Sequence, residues 1–163
     1  MTIETGWSLP AGTLADARSG APEELAAACA GAPTLLFVYK ADCPGTAVAA
    51  PVLPRFDAVP GLRLLAISQD GPAETRSFGA ASGWTGRVRA LIDPEPWAVS
   101  EALGVRVTPT WILAGPDGRV EEVVEGWARV DANRLAARAA ELAGAPPLVV
   151  SPEGGAEPAW RPG

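Results

Sequence analysis

Hydrophobic positions along this chain fall in short, nearly unbroken runs set between polar stretches rich in Gly and Pro. Thr34 to Tyr39, Leu62 to Ser68, Val88 to Asp93 and Thr110 to Ala114 are such runs. Their length and content of strand formers predict strands covered on both faces, as in a parallel sheet. Arg119 to Trp127 predicts a fifth strand, folded back on the fourth across the turn Pro116-Asp117-Gly118.

The intervening segments carry helix signals. Pro22-Glu23-Glu24 before Leu25 and an alanine run, closed by Gly31, predicts a short helix that opens with acid at its positive end. Cys43 to Phe56 predicts a helix with Pro44 at its first position and a kink at Pro51, where the ring removes a backbone bond. Pro72 to Ala81 and Pro96 to Leu103 predict two more, and Asp131 is expected to cap a last helix that reaches Leu142.

Strands and helices thus alternate up to the hairpin. The pattern predicts an α/β fold: a central mixed sheet of about five strands, mostly parallel with an antiparallel hairpin at the end, and helices on both faces. Residues 1–20 are expected to form an irregular N-terminal arm, 21–144 the folded domain, and 145–163 an extended or disordered tail rich in Pro, Gly and Glu.

Composition narrows the chemistry more than the fold. The 163 residues carry a formal charge of -6, and the 13 Lys and Arg residues form no basic run, so nucleic acid and anionic membrane are not expected partners. The absence of histidine removes Cys-His and Ser-His pairs and His-ligated metals. Two cysteines, Cys29 and Cys43, cannot form a four-cysteine metal site, and no cofactor is expected. No stretch has the ~18 apolar residues that a membrane span needs. The segment Met1 to Leu9 lacks leader features. A cytoplasmic, reducing location is the expectation.

Chemistry in open α/β sheets gathers at the carboxyl ends of strands. The first strand ends in Lys40-Ala41-Asp42-Cys43-Pro44-Gly45-Thr46, which sets the Cys43 sulfur at a helix start. Unpaired N–H groups and the helix dipole favour a thiolate there; Lys40 adds to that effect and Asp42 opposes it. Cys29 lies before the strand and Cys43 after it, about six residues at ~3.3 Å each, or on the order of 20 Å apart. A disulfide tolerates at most about 7 Å between Cα atoms. Cys29 is therefore read as a small buried apolar residue. Trp84, Trp97 and Trp111 are read as core.

The run Cys-Pro-Gly-Thr-Ala-Val-Ala-Ala-Pro from Cys43 to Pro51 resembles the active-site helix of thioredoxins, with Thr46 where the second cysteine of Cys-X-X-Cys belongs. Val105 to Thr110 resembles that family's loop before the fourth strand. The likeness spans roughly residues 22–143 and is greatest to the TlpA-like and AhpC/TSA-like redoxin branch. It implies a thioredoxin fold, a cis Thr108-Pro109 bond, and a groove in which the Thr108 backbone pairs with an extended peptide. Cys43, Thr46 and Pro109 take the catalytic positions, and Pro44, Gly45 and Thr108 the substrate-binding ones. Two departures stand out: Asp42 replaces the usual Trp, and Phe37 occupies the place of a buried acid.

Without a sulfur at position 46, the resemblance implies a monothiol. Cys43 would form mixed disulfides with protein or small-molecule disulfides, and an external thiol would release them. Two other readings stay open, a redox-inactive binding or chaperone-like module and a peroxiredoxin-like peroxidase. The peroxidase pattern places Thr or Ser three residues before its cysteine, where this chain has Lys40. Oligomeric state is not legible.

Overall fold

The computed structural model describes residues 3–163; Met1 and Thr2 of the arm lie outside the described residues. In chain order the strands and helices are β1 (Thr13–Asp16), β2 (Pro22–Glu24), α1 (Leu25–Cys29), β3 (Thr34–Tyr39), α2 (Pro44–Ala49), β4 (Arg63–Ser68), α3 (Pro72–Ala81), β5 (Arg89–Ile92), α4 (Ala98–Ala102), β6 (Thr110–Ala114), β7 (Val120–Glu125), β8 (Trp127–Ala128), α5 (Arg129–Leu142) and β9 (Trp160–Arg161). A 3-10 turn, Leu53–Ala58, follows α2.

Seven strands form the main sheet in the order β2-β1-β5-β4-β3-β6-β7, and β8 pairs with β9 apart from it. β3 runs parallel to β4 and antiparallel to β6, so Leu36 stands opposite Leu65 on one side and Ile112 on the other. Its six residues are all buried, as expected of a strand covered on both faces. Alternation then divides them. Leu35, Phe37 and Tyr39 enter one core with Phe56, Trp84, Trp111, Trp127 and Leu135, whereas Leu36 and Val38 enter the other with Leu25, Cys29, Val99 and Ile112. The mixed α/β sheet with helices on both faces agrees with the predicted class; β1, within the predicted irregular arm, and β2, just after it, add two strands to the predicted five.

Local differences have physical causes. Pro22-Glu23-Glu24 is strand β2, not the first helical turn, because these residues pair antiparallel with Thr13 to Ala15. The predicted kink at Pro51 is a full break. α2 ends at Ala49, and the chain restarts as the 3-10 turn after Pro51, which has no N–H to donate, with Pro54 near the start of that turn. The last helix begins at Arg129, cap residue Ala128, so Asp131 sits inside the first turn instead of capping it. Trp84 and Trp111 are core, but Trp97 is half-buried, has a left-handed backbone (φ 60°) and lies at the carboxyl end of the sheet.

The stretch 145–163 lies against the body. Val150 and Ser151 are buried, the backbone of both is bound by the Asn133 side chain, and β9 closes on β8. Its composition hides these contacts because they are mostly made by backbone atoms. No described helix is long and apolar enough to cross a membrane.

Candidate functional site

β3 delivers the chain to the site, and the turn after it is held in place from β4. The Ala41 N–H donates to the Asp70 carboxylate at 2.7 Å, and the Cys43 N–H to the Lys40 carbonyl at 3.2 Å. Cys43 is the N-cap residue of α2, extended in backbone (φ -80°, ψ 127°), and Pro44 follows in the first turn, where its missing N–H costs nothing. The Lys40 ammonium lies 5.7 Å from the Trp97 ring centroid, and the Trp97 indole donates to the Gln69 carbonyl at 3.2 Å.

From the other side comes the loop before β6. The Thr108–Pro109 peptide is cis, as is Glu95–Pro96. The Cys43 thiol donates to the Thr108 carbonyl at 2.9 Å, and the Pro109 carbonyl accepts the Gly126 N–H at 2.7 Å. Pro109 also borders Gly45: a Cβ built on that glycine would lie 3.2 Å from the proline Cδ. Cys43, Pro44, Gly45, Thr46, Thr108 and Pro109 thus form one cluster, with Cys43 half-exposed and Thr46 fully buried.

Thr46 is the informative member. Among the described residues its buried hydroxyl has no hydrogen-bond partner, although an unsatisfied buried hydroxyl costs about 1–3 kcal/mol. The sulfur one helical turn earlier is the group that this hydroxyl can serve. Desolvation is the largest single influence on the Cys43 thiol and pushes its pKa up. The Thr46 N–H, the Thr108 and Thr46 side chains and the Gly45 N–H together outweigh it, and the net shift is downward.

Cys29 has the opposite environment. It is fully buried at the far end of β3, and burial pushes its thiol up to about 11. It cannot resolve a disulfide on Cys43. Phe37, at the position of the family's buried acid, is enclosed by Trp84 and Trp111, its ring 4.6 Å from that of Trp111.

Sequence reasoning did not anticipate two contributors. Asp70 anchors the turn from 29 residues downstream, and Gly126 walls the groove beside Pro109; neither belongs to a local motif. A cavity of about 690 Å³ opens between α3 and the start of β5, walled by Arg76, Arg87 and Arg89, and none of the cluster residues line it. Among the described residues no three metal-ligating side chains converge.

No family model matches the chain, and no curated protein matches it. Solved structures do. The chain is similar to a candidate thiol:disulfide interchange protein DsbE from Chlorobium tepidum, at a TM-score of 0.75 and 19% identity over 88% of this chain and 100% of that one. It is also similar to a secreted Mycobacterium tuberculosis disulfide oxidoreductase homologous to E. coli DsbE, with a TM-score of 0.66 and 21% identity over 80% of this chain and 95% of that one. A third likeness is to the thioredoxin domain of a thiol-disulfide oxidoreductase from Bacteroides vulgatus, with a TM-score of 0.66 and 19% identity over 77% and 91% of the respective chains.

Proposed function

Starting from the chain's thioredoxin fold, we propose that it is a monothiol thiol-disulfide exchange protein whose working group is Cys43. One observation carries this reading: a half-exposed sulfur at a helix start, flanked by Thr108-Pro109, with the unpartnered hydroxyl of Thr46 in the next turn. The downward shift of the thiol pKa supports the same role for the sulfur.

The chemistry balances as follows. The Cys43 thiolate attacks a substrate disulfide R–S–S–R′, forms Cys43–S–S–R and expels R′S⁻, which takes a proton from water. An external thiolate R″S⁻ attacks the Cys43 sulfur and expels RS⁻. A second R″S⁻ attacks the R″ sulfur, frees the Cys43 thiolate and leaves as R″–S–S–R″. Two electrons pass from two external thiols to the substrate, and Cys43 ends unchanged. The Gly45 and Thr46 N–H groups stabilise the Cys43 thiolate as attacking and leaving group alike. A reducing compartment rich in small thiols suits this cycle.

Incubating the reduced chain with a small disulfide and weighing it tests the reading. We expect a single adduct on Cys43, lost on addition of excess thiol, and catalysed reduction that Cys43→Ala abolishes. No adduct on the folded chain, or turnover unaffected by Cys43→Ala, would overturn it.

A further inference from the structure

The stretch 145–163 leads to the site. Asn133 holds it at the start: its side-chain oxygen accepts the Val150 and Ser151 N–H groups at 3.0 Å each, and its amide donates to the Ser151 carbonyl at 2.8 Å. Arg55 donates to the Val150 carbonyl at 2.8 Å and pairs with Glu157. The Trp127 indole donates to the Pro158 carbonyl at 2.7 Å, after which β9 runs antiparallel to β8, with Trp127 opposite Arg161 and Ala128 opposite Trp160.

Beyond that pairing, Pro162 and Gly163 pass over Gly126 and Gly45 to reach Thr108. A Cβ on Gly45 would come within 2.7 Å of the Pro162 carbonyl oxygen and 3.2 Å of the Gly163 Cα. One on Gly126 (φ +73°) would lie 3.4 Å from the Arg161 oxygen and 3.5 Å from the Gly163 nitrogen. One on Gly163 would overlap the Thr108 carbonyl oxygen and a Val107 methyl. Apart from the Val107 methyl, these are contacts of backbone on backbone, which no rotamer change relieves. The Thr108 carbonyl that Gly163 approaches is the one that accepts the Cys43 thiol's hydrogen bond.

We propose that Trp160–Gly163 is an intramolecular occupant of the groove beside Cys43, and that the groove's partner is an extended, disulfide-bearing polypeptide that must displace it. A small disulfide needs only the sulfur and is not in competition. The occupant shows what fits, a strand added to β8 whose last residues are main chain and a small ring against glycine. Being tethered, it holds the groove at a high effective concentration, and the apparent affinity of any rival falls by the fraction of time the groove is closed. The exchange step rests on the function proposed above; the occupancy does not.

The test compares the full chain with Gly163→Val and with a chain lacking 160–163. Each is given a small aromatic disulfide and an extended peptide carrying a mixed disulfide, and the ratio of the peptide rate to the small-disulfide rate is read. We expect that ratio to rise about tenfold in both variants; an unchanged ratio overturns the proposal. A second measurement is independent of the sulfur. A synthetic peptide with the sequence of residues 158–163 should bind the chain lacking 160–163, shift the amide signals of Gly45, Thr108 and Gly126, and leave the full chain's signals in place. No binding at millimolar peptide overturns the occupancy. Binding by a chain whose Cys43 is inert to every disulfide upholds the occupancy and overturns the exchange function instead.

Discussion

The Cys43 sulfur lies 2.9 Å from the carbonyl oxygen of Thr108, a contact that joins points 65 residues apart and closes the site between α2 and the loop before β6. It is a contact of the protonated thiol, because only S–H can donate to a carbonyl. Ionisation exchanges it for donors around the sulfur, the Gly45 and Thr46 N–H groups and the Thr46 and Thr108 side chains. The balance between desolvation and those donors sets the thiol's acidity.

The donors prevail, so the Cys43 pKa lies below its ordinary value. The rate of alkylation by iodoacetamide should accordingly titrate with a midpoint below the free-cysteine value of about 8.5. Thr46→Val keeps the shape and removes the hydroxyl; since a hydrogen bond to a charged group is worth about 1.5–3 kcal/mol, the midpoint should climb by roughly one unit or more. A midpoint that stays put in this variant would deny the hydroxyl its role.

Cys29 should behave as the reverse case. With its thiol pushed up to about 11 by burial, it should resist alkylation in the native chain and react only on unfolding. Cys29→Ala should leave the Cys43 rate as it is. Cys29→Ser places an unpaired hydroxyl in the core and should cost about 1–3 kcal/mol in a denaturant titration. Loss of Cys43 exchange on Cys29→Ala would show that the two sulfurs communicate.

Much of this was legible in the sequence where the signal is local. The six residues of β3 read as buried because every one is apolar or small enough for a central strand, and Pro44 marks the start of α2 beside Cys43. The motif supplied the cluster Cys43 to Thr46 with Thr108 and Pro109. What the sequence hid are the pairings between distant, ordinary residues. Glu23 and Glu24 look like a helix start until Thr13 and Leu14 pair with them, and nothing about Pro162 or Gly163 announces that Gly45 leaves room for their backbone. Pro51 was visible, but whether it kinks or ends a helix depends on Leu53 and Phe56 finding the core.

Asp70 provides a test of how far the turn before Cys43 depends on one acceptor. Asp70→Ala leaves the Ala41 N–H without its partner at a part-buried position and should destabilise the chain by about 1–2 kcal/mol. Asp70→Asn keeps an acceptor oxygen and should recover most of that loss, as read by urea denaturation. Equal losses in both would assign the role to the charge of Asp70.

The deficit at position 46 can be reversed by Thr46→Cys. Side chains three apart on a helix sit about 5–6 Å apart at Cβ, and a disulfide needs Cα atoms within about 7 Å, so Cys43 and a sulfur at position 46 are within reach after a small adjustment of the turn. Thr46 is fully buried and its hydroxyl has no partner among the described residues, so the exchange costs no hydrogen bond that the neutral chain makes. In the parent chain a protein disulfide attacked by Cys43 should stop at the mixed disulfide until an external thiol arrives. In Thr46→Cys the new thiolate attacks the Cys43 sulfur, expels the substrate thiolate and leaves an internal disulfide with the loss of two hydrogens. Single-turnover experiments without added thiol should therefore release fully reduced substrate from this variant, whereas the parent accumulates the covalent adduct. If the variant accumulates the same adduct, position 46 is not where resolution can occur, and the likeness of the Cys43 to Thr46 turn to a dithiol site does not extend to its chemistry.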